Sequence, residues 1–266
     1  MVPSVNGWAD LEGCLTALQR ERDHVGVEVL VAERCGDMVR AAVARQFPWV
    51  RVLPVSPETT IPQMRARCVR DASAPTVAVI EDHVLVPPGW ARAIITARAG
   101  DVRVLGGGVE NAATERTVDW AAFLCEYSHL LSPQTAGASE WLTGNNTAYD
   151  RTLLLDLIGL LDAGRWEDAV HASLREQGVT LWARPDIVVG HKKHYTVAEY
   201  TSQRYLYARA YAAARAAGTG VMRRVAYGAF ALALPPVLLF RIVNRVWATG
   251  RHRGSFCDRY RCWRCS

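Results

Sequence analysis

The chain has 266 residues, half of them hydrophobic and 21% charged, which fits one large α/β domain with an appendage and excludes a disordered, collagen-like or coiled-coil chain. Its net charge of +5 hides an asymmetry, because residues 201–266 hold twelve arginines against one acid, Asp258, and the rest of the chain is acidic on balance. Seven scattered cysteines exclude a disulfide framework; Cys14, Cys35, Cys68 and Cys125 are expected as small buried residues in a reducing compartment.

Residues Met1 to Glu12 lack the basic and apolar regions of a secretory signal, so the body is expected to be cytosolic. Val2-Pro3-Ser4-Val5-Asn6-Gly7 reads as the end of a first strand entering a loop, which implies either a late start codon or a short strand. Strands are then expected at 27–32, 50–55, 76–80 and 102–105, where β-branched residues cluster. Between them the periodicity predicts helices over 11–22, 37–46, 62–72 and 90–99, with Asp37 as a cap and Pro62 at the first helical position. This alternation predicts a Rossmann-like, mostly parallel sheet flanked by helices.

After Gly106-Gly107-Gly108 the helical segments lengthen, to 119–130, 151–161 and 166–177. The three glycines lack the spacing and helix start of a dinucleotide fingerprint, which excludes that reading. A strand pair is expected at 180–183 and 186–189, then a connecting helix over 196–218. Residues 225–240 are uncharged, interrupted by Pro235-Pro236 and bracketed by Arg223, Arg224, Arg241 and Arg245. That run is shorter than the roughly 20 apolar residues a spanning helix needs. It predicts a helical hairpin over 219–250, either lying at a membrane interface or re-entrant with its arginines among lipid headgroups, or else packed on protein. Residues 251–266 form a basic tail; His252, Cys257, Cys262 and Cys265 lack the second Cys pair of a zinc finger, and no aromatic-basic module argues for nucleic acid.

Glu81-Asp82-His83 follows the apolar strand 76–80 and precedes Pro87-Pro88-Gly89-Trp90. Open α/β sheets bind ligands beyond the carboxyl ends of strands, so ionisable residues there are site candidates. This phrase resembles the family 2 glycosyltransferases of the GT-A fold, in which a strand ends in an Asp-x-Asp-like motif followed by a Pro-Gly-Trp segment. The resemblance extends over about residues 2–215. Pro3, Ser4 and Asn6 match the first loop, which borders the donor base, and Glu33 stands where an acid contacts the nucleobase. Trp141, Gly144, Asn145 and Asn146 match the Gly-Asn loop of the sugar and acceptor pocket, and Glu167-Asp168 match the motif carrying the catalytic base.

The resemblance implies a GT-A domain over 1–195 and an inverting hexosyl transfer from a UDP- or GDP-linked sugar to an acceptor hydroxyl, and the Arg-flanked apolar C-terminal region points to a lipid-linked or cell-envelope glycan as that acceptor. It also implies a divalent metal, Mn²⁺ or Mg²⁺, to neutralise the departing diphosphate. Glu81 and Asp82 would coordinate it or hold the ribose, and His83 departs from the family's usual metal-binding Asp. With His191, it makes an imidazole pair better suited to Mn²⁺ than Mg²⁺. As helix neighbours, Glu167 and Asp168 point in different directions and cannot share one task; Asp168 is expected as the base and Glu167 as its support. Arg67 would either reach the diphosphate, as a basic residue does in some relatives, or lie on a solvated helix face. The location implied is the cytoplasmic face of a membrane, or the cytoplasm if the C-terminal helices pack on protein. The rival reading is a glycosyltransferase-like binding or scaffold protein without catalysis.

Overall fold

The computed structural model of the chain describes residues 1–131, 135–216, 218–231 and 233–250. The basic tail and its cysteines lie outside the described residues. Chain contacts divide the protein into two units, Met1–Ala112 with Ser132–Lys192, and Ala113–Leu131 with Lys193 onward. The stretch 113–131 therefore groups with the C-terminal helices rather than with the rest of the expected 1–195 domain.

In the first unit, β1 (Val2–Ser4), β2 (Leu30–Glu33) and β3 (Arg51–Pro54) form a parallel sheet, with α1 (Trp8–Val25) and α2 (Asp37–Gln46) as crossovers. Gly36, with φ of 113°, stands before α2 in place of the expected Asp37 cap. The next helix, α3 (Ile61–Asp71), begins in a capping box between Thr60 and Gln63, with Pro62 in its first turn. β4 (Thr76–Val79) then lies beside β1, for the Met1 amino nitrogen donates to the Ala78 carbonyl at 2.7 Å and Ile80 N–H donates to the Met1 carbonyl at 3.2 Å.

Beyond β4 the sheet becomes mixed. β5 (Val84–Leu85) and α4 (Trp90–Ala97) precede the long β6 (Val104–Asn111), which contains the whole glycine run. The unit is completed by β7 (Gly137–Ser139), β8 (Thr147–Asp150) and β9 (Leu181–His191). Strand order is β4-β8-β6-β9-β5, with β6 and β9 parallel and the other pairs antiparallel. The expected strand pair near 180–189 is one strand, β9, whose register on β6 jumps between Gly107 and Gly108. A β-carbon on Gly107 would sit 1.5 Å from the Ile187 carbonyl oxygen, so this irregular crossing requires glycine.

The expected 151–161 helix is two short ones, α6 (Arg151–Asp156) and α7 (Ile158–Asp162), followed by α8 (Glu167–Glu176). Val79, Val104, Tyr149, Leu153, Leu174 and Leu181 close the core beneath them. Cys14 and Cys68 are buried as expected, whereas Cys35 and Cys125 are exposed.

The second unit holds α5 (Thr117–Tyr127), a 3-10 turn at Ser128–Leu130, α9 (Val197–Ala216), α10 (Val221–Ala231) and α11 (Leu234–Thr249). Buried Asp119 accepts from Arg116 at 2.9 Å and from the Tyr195 N–H at 2.9 Å and bonds His194 Nδ1 at 2.8 Å, fixing the approach to α9. Arg245 of α11 donates to Ser128 Oγ at 3.2 Å. α10 and α11 are bent by 50° relative to one another, and among the described residues no single helix is long and apolar enough to cross a membrane.

Candidate active site

The end of β4 and the short β5 bring Glu81, Asp82 and His83 to the carboxyl edge of the first unit. β5 runs antiparallel to the last residues of β9, with Val84 opposite His191. The two imidazoles therefore meet, their Nε2 atoms 2.9 Å apart and their rings nearly perpendicular at 89°. Glu81 Oε2 lies 3.2 Å from His83 Nε2 and 3.4 Å from Asn145 Nδ2. Asp82 is buried behind them. Its Oδ1 bonds His83 Nδ1 at 3.0 Å and Asn6 Nδ2 at 2.7 Å, and its Oδ2 accepts the Val5 and Asn6 N–H groups at 2.7 and 2.8 Å.

Burial works against ionisation of all three residues, yet their mutual bonds win. The bonds from Asp82 and Glu81 raise His83 to about 10, and His83, His191 and Arg65 bring Glu81 down to about 2. Asp82 is likewise held below the usual carboxylate range, by His83, Asn6 and the Val5 N–H. Two carboxylates thus flank the His83 ring, Glu81 at Nε2 and Asp82 at Nδ1.

Glu81, His83 and His191 offer ligand atoms within 4.8 Å of one another. Metal–nitrogen bonds run about 2.0–2.1 Å, so adjacent ligands sit about 3 Å apart, as these two nitrogens do. The bond from Asp82 to Nδ1 directs His83 Nε2 toward that position, the usual support for a metal-binding histidine. Two imidazoles and a carboxylate fit a divalent transition metal. Asp82 faces Asn6 and the backbone of β1's following loop and supports the set from behind.

A second group lies on the other side of Asn145. Arg65 of α3, buried to 4% exposure, donates to Glu167 Oε2 at 2.9 Å and to the Gly144 carbonyl at 2.9 Å. Its guanidinium also lies 5.6 Å from the centre of the Trp166 ring. Glu167 packs so tightly on the loop that a β-carbon on Gly144 would fall 2.5 Å from its carboxyl carbon. Asp168 is exposed, with no hydrogen bond or ion pair among the described residues. One acid of the pair is clamped and the other is free.

Other sequence expectations are redistributed. Arg67 is exposed and pairs with Asp71 at 2.7 Å on the outer face of α3, because two residues along a helix turn it about 200° away from Arg65. Sequence reasoning missed Arg65; the apolar residues three and four positions on, Cys68 and Val69, were the signal that this arginine faces inward, whereas Arg67 is followed at those positions by Arg70 and Asp71. Pro3 and Ser4 are buried, so of these three expected donor contacts Asn6 alone is exposed. Glu33 is fully buried, accepting from Cys35 N, Gly36 N and Arg40, and shapes the loop rather than presenting itself to a base. Asn146 is also buried; it accepts from Trp90 Nε1 at 3.0 Å and donates to the Gly108 and Ile187 carbonyls, both at 2.9 Å. Trp141 is half-buried.

The strand order and layering define a GT-A glycosyltransferase fold. The chain superposes with a TM-score of 0.54 on a mannosyltransferase from Pyrobaculum calidifontis solved with GDP-Man and Mn²⁺, at 16% identity, over 95% of this chain and 86% of that one. A second structure, GalNAc-T7 with UDP, GalNAc and Mn²⁺, aligns at a TM-score of 0.55 and 13% identity, over 73% of this chain and 43% of that chain. No protein-family model and no curated protein matches the sequence.

Proposed function

We propose that the protein is a metal-dependent, inverting family 2 glycosyltransferase that moves a hexosyl group from a UDP- or GDP-linked sugar to an acceptor hydroxyl. The observation that carries this reading is the Glu81, His83 and His191 cluster at the carboxyl edge of a GT-A sheet. Mn²⁺ and nucleotides or nucleotide sugars accompany both similar structures. In the proposed site Glu81, His83 and His191 hold the cation, with Asp82 orienting His83. A bound divalent ion supplies Lewis-acid neutralisation of the diphosphate.

Asp168 is the general base. Its free carboxylate takes the acceptor proton as the hydroxyl oxygen bonds to the anomeric carbon, while the bond from that carbon to the phosphate oxygen breaks and the nucleoside diphosphate leaves with the electron pair. Glu167 holds the Gly144–Asn145 loop through Arg65, and Asn145 orients Glu81. A single base without a second nucleophile implies inversion. The proposed acceptor, a lipid-linked or cell-envelope glycan, rests on the composition of the C-terminal helices and not on this site.

Calorimetric titration with UDP and GDP, with and without Mn²⁺, tests the reading, alongside release of UDP or GDP from UDP-glucose and GDP-mannose. Metal-dependent binding of one nucleotide and turnover of its sugar are expected. Metal-dependent binding without turnover would favour a binding protein instead, and no binding of either nucleotide would sink both.

A further inference from the structure

We infer that α10 and α11 dock the second unit on an anionic lipid bilayer, with residues 225–240 entering the acyl boundary and the flanking arginines among the headgroups. This inference does not depend on the proposed reaction. None of α10 is buried, and in α11 only Val246 is. Phe230 is 73% exposed, Leu239 53% and Phe240 70%. Leu234, Val237, Leu238, Leu239 and Phe240 are all exposed. At about 100° per residue these five point all round the helix rather than along one stripe.

A partner helix covers one stripe; a helix apolar on every side needs a surrounding apolar medium. Charge identifies that medium. From Tyr200 to Gly250 the sequence contains no acid, and Arg223, Arg224 and Arg241 are exposed without a carboxylate partner among the described residues. Arginines at both ends of an uncharged run match a phosphate layer above an acyl layer. α11, the longer of the two helices at 16 residues, measures about 24 Å at 1.5 Å per residue, short of a hydrocarbon core about 30 Å thick. With the 50° bend between it and α10, it suits shallow insertion from one side.

The test is flotation of the full chain with vesicles of phosphatidylcholine alone and of phosphatidylcholine mixed with phosphatidylglycerol. Strong association with the mixed vesicles is expected. L238D/F240D should weaken it by about tenfold or more, as should Phe230→Ser on the other helix. R223Q/R224Q should weaken it by about fivefold per charge, and only on the anionic vesicles. All of these positions are exposed, so thermal melts should match the parent. Failure to float with either vesicle would overturn the inference. So would binding untouched by L238D/F240D, which would assign the lipid contact to the basic tail. Self-association abolished by L238D/F240D but unaffected by vesicles would assign the surface to a second copy and equally overturn it.

Discussion

His83 and His191 stand 108 positions apart in sequence, yet their Nε2 atoms are 2.9 Å apart because β5 pairs with the end of β9. Neither histidine is positioned by its own neighbours alone. His83 is turned by Asp82, which the backbone of Val5 and Asn6 holds from the opposite side.

That arrangement predicts separable losses. His83→Ala and His191→Ala should each lower Mn²⁺-dependent nucleotide affinity by about 100-fold or more, and Asp82→Asn by about tenfold, since supporting residues of metal sites are worth about 10–100-fold. Calorimetry at fixed Mn²⁺ reads all three. Equal, small effects from every substitution would remove the cluster from the site.

Asp168→Asn should abolish transfer while nucleotide Kd stays within about threefold, because a base acts on the acceptor proton and not on the donor. Single-turnover rates beside a binding titration separate the two. Loss of nucleotide binding in this variant would count against the assignment.

Arg65 is almost wholly buried and Glu167 is its carboxylate partner. Replacing either alone, as in Glu167→Gln or Arg65→Met, leaves a charge without its partner and should cost about 2–4 kcal/mol in urea unfolding. The double variant should lose less than the sum of the singles. Additive losses would show that the pair is not coupled.

Burial, with Arg175 nearby, lowers His171 to about 4, and its Nε2 bonds Tyr149 Oη at 2.8 Å. The group is thus harder to protonate folded than unfolded, so its contribution is complete above about pH 6.5 and is lost as pH falls through 4. The shift corresponds to about 3 kcal/mol. His171→Gln should therefore lose less stability than the parent between pH 7 and pH 4, by about that amount. Identical acid losses in urea melts would show that His171 stays neutral in neither state preferentially.

Much of this was legible locally. The β-branched runs and the helical periodicity marked β2 to β4 and α1 to α4, since each shows in adjacent residues. What eluded the sequence depended on pairing at a distance. β7 and β8 are short and become strands by hydrogen bonding to β9, β4 and β6. The glycine run looks like a loop until β9 is laid across it. Asn145 and Asn146 are identical letters and both buried, yet one reaches Glu81 and the other bonds the Gly108 and Ile187 carbonyls. Arg65 and Arg67 part in the same way, by the face of α3 each occupies.

Gly107 and Asn146 form one packing decision. The absent side chain of the first makes room for the Ile187 carbonyl, and the amide of the second completes that carbonyl's bonding and the Gly108 carbonyl's with it. Neither can change while the other stays. Among natural variants of this chain the two positions should be inherited together: a lineage that loses the asparagine must reshape the β9 crossing, and one that gains a side chain at Gly107 must move both the Ile187 carbonyl and the asparagine amide that meets it.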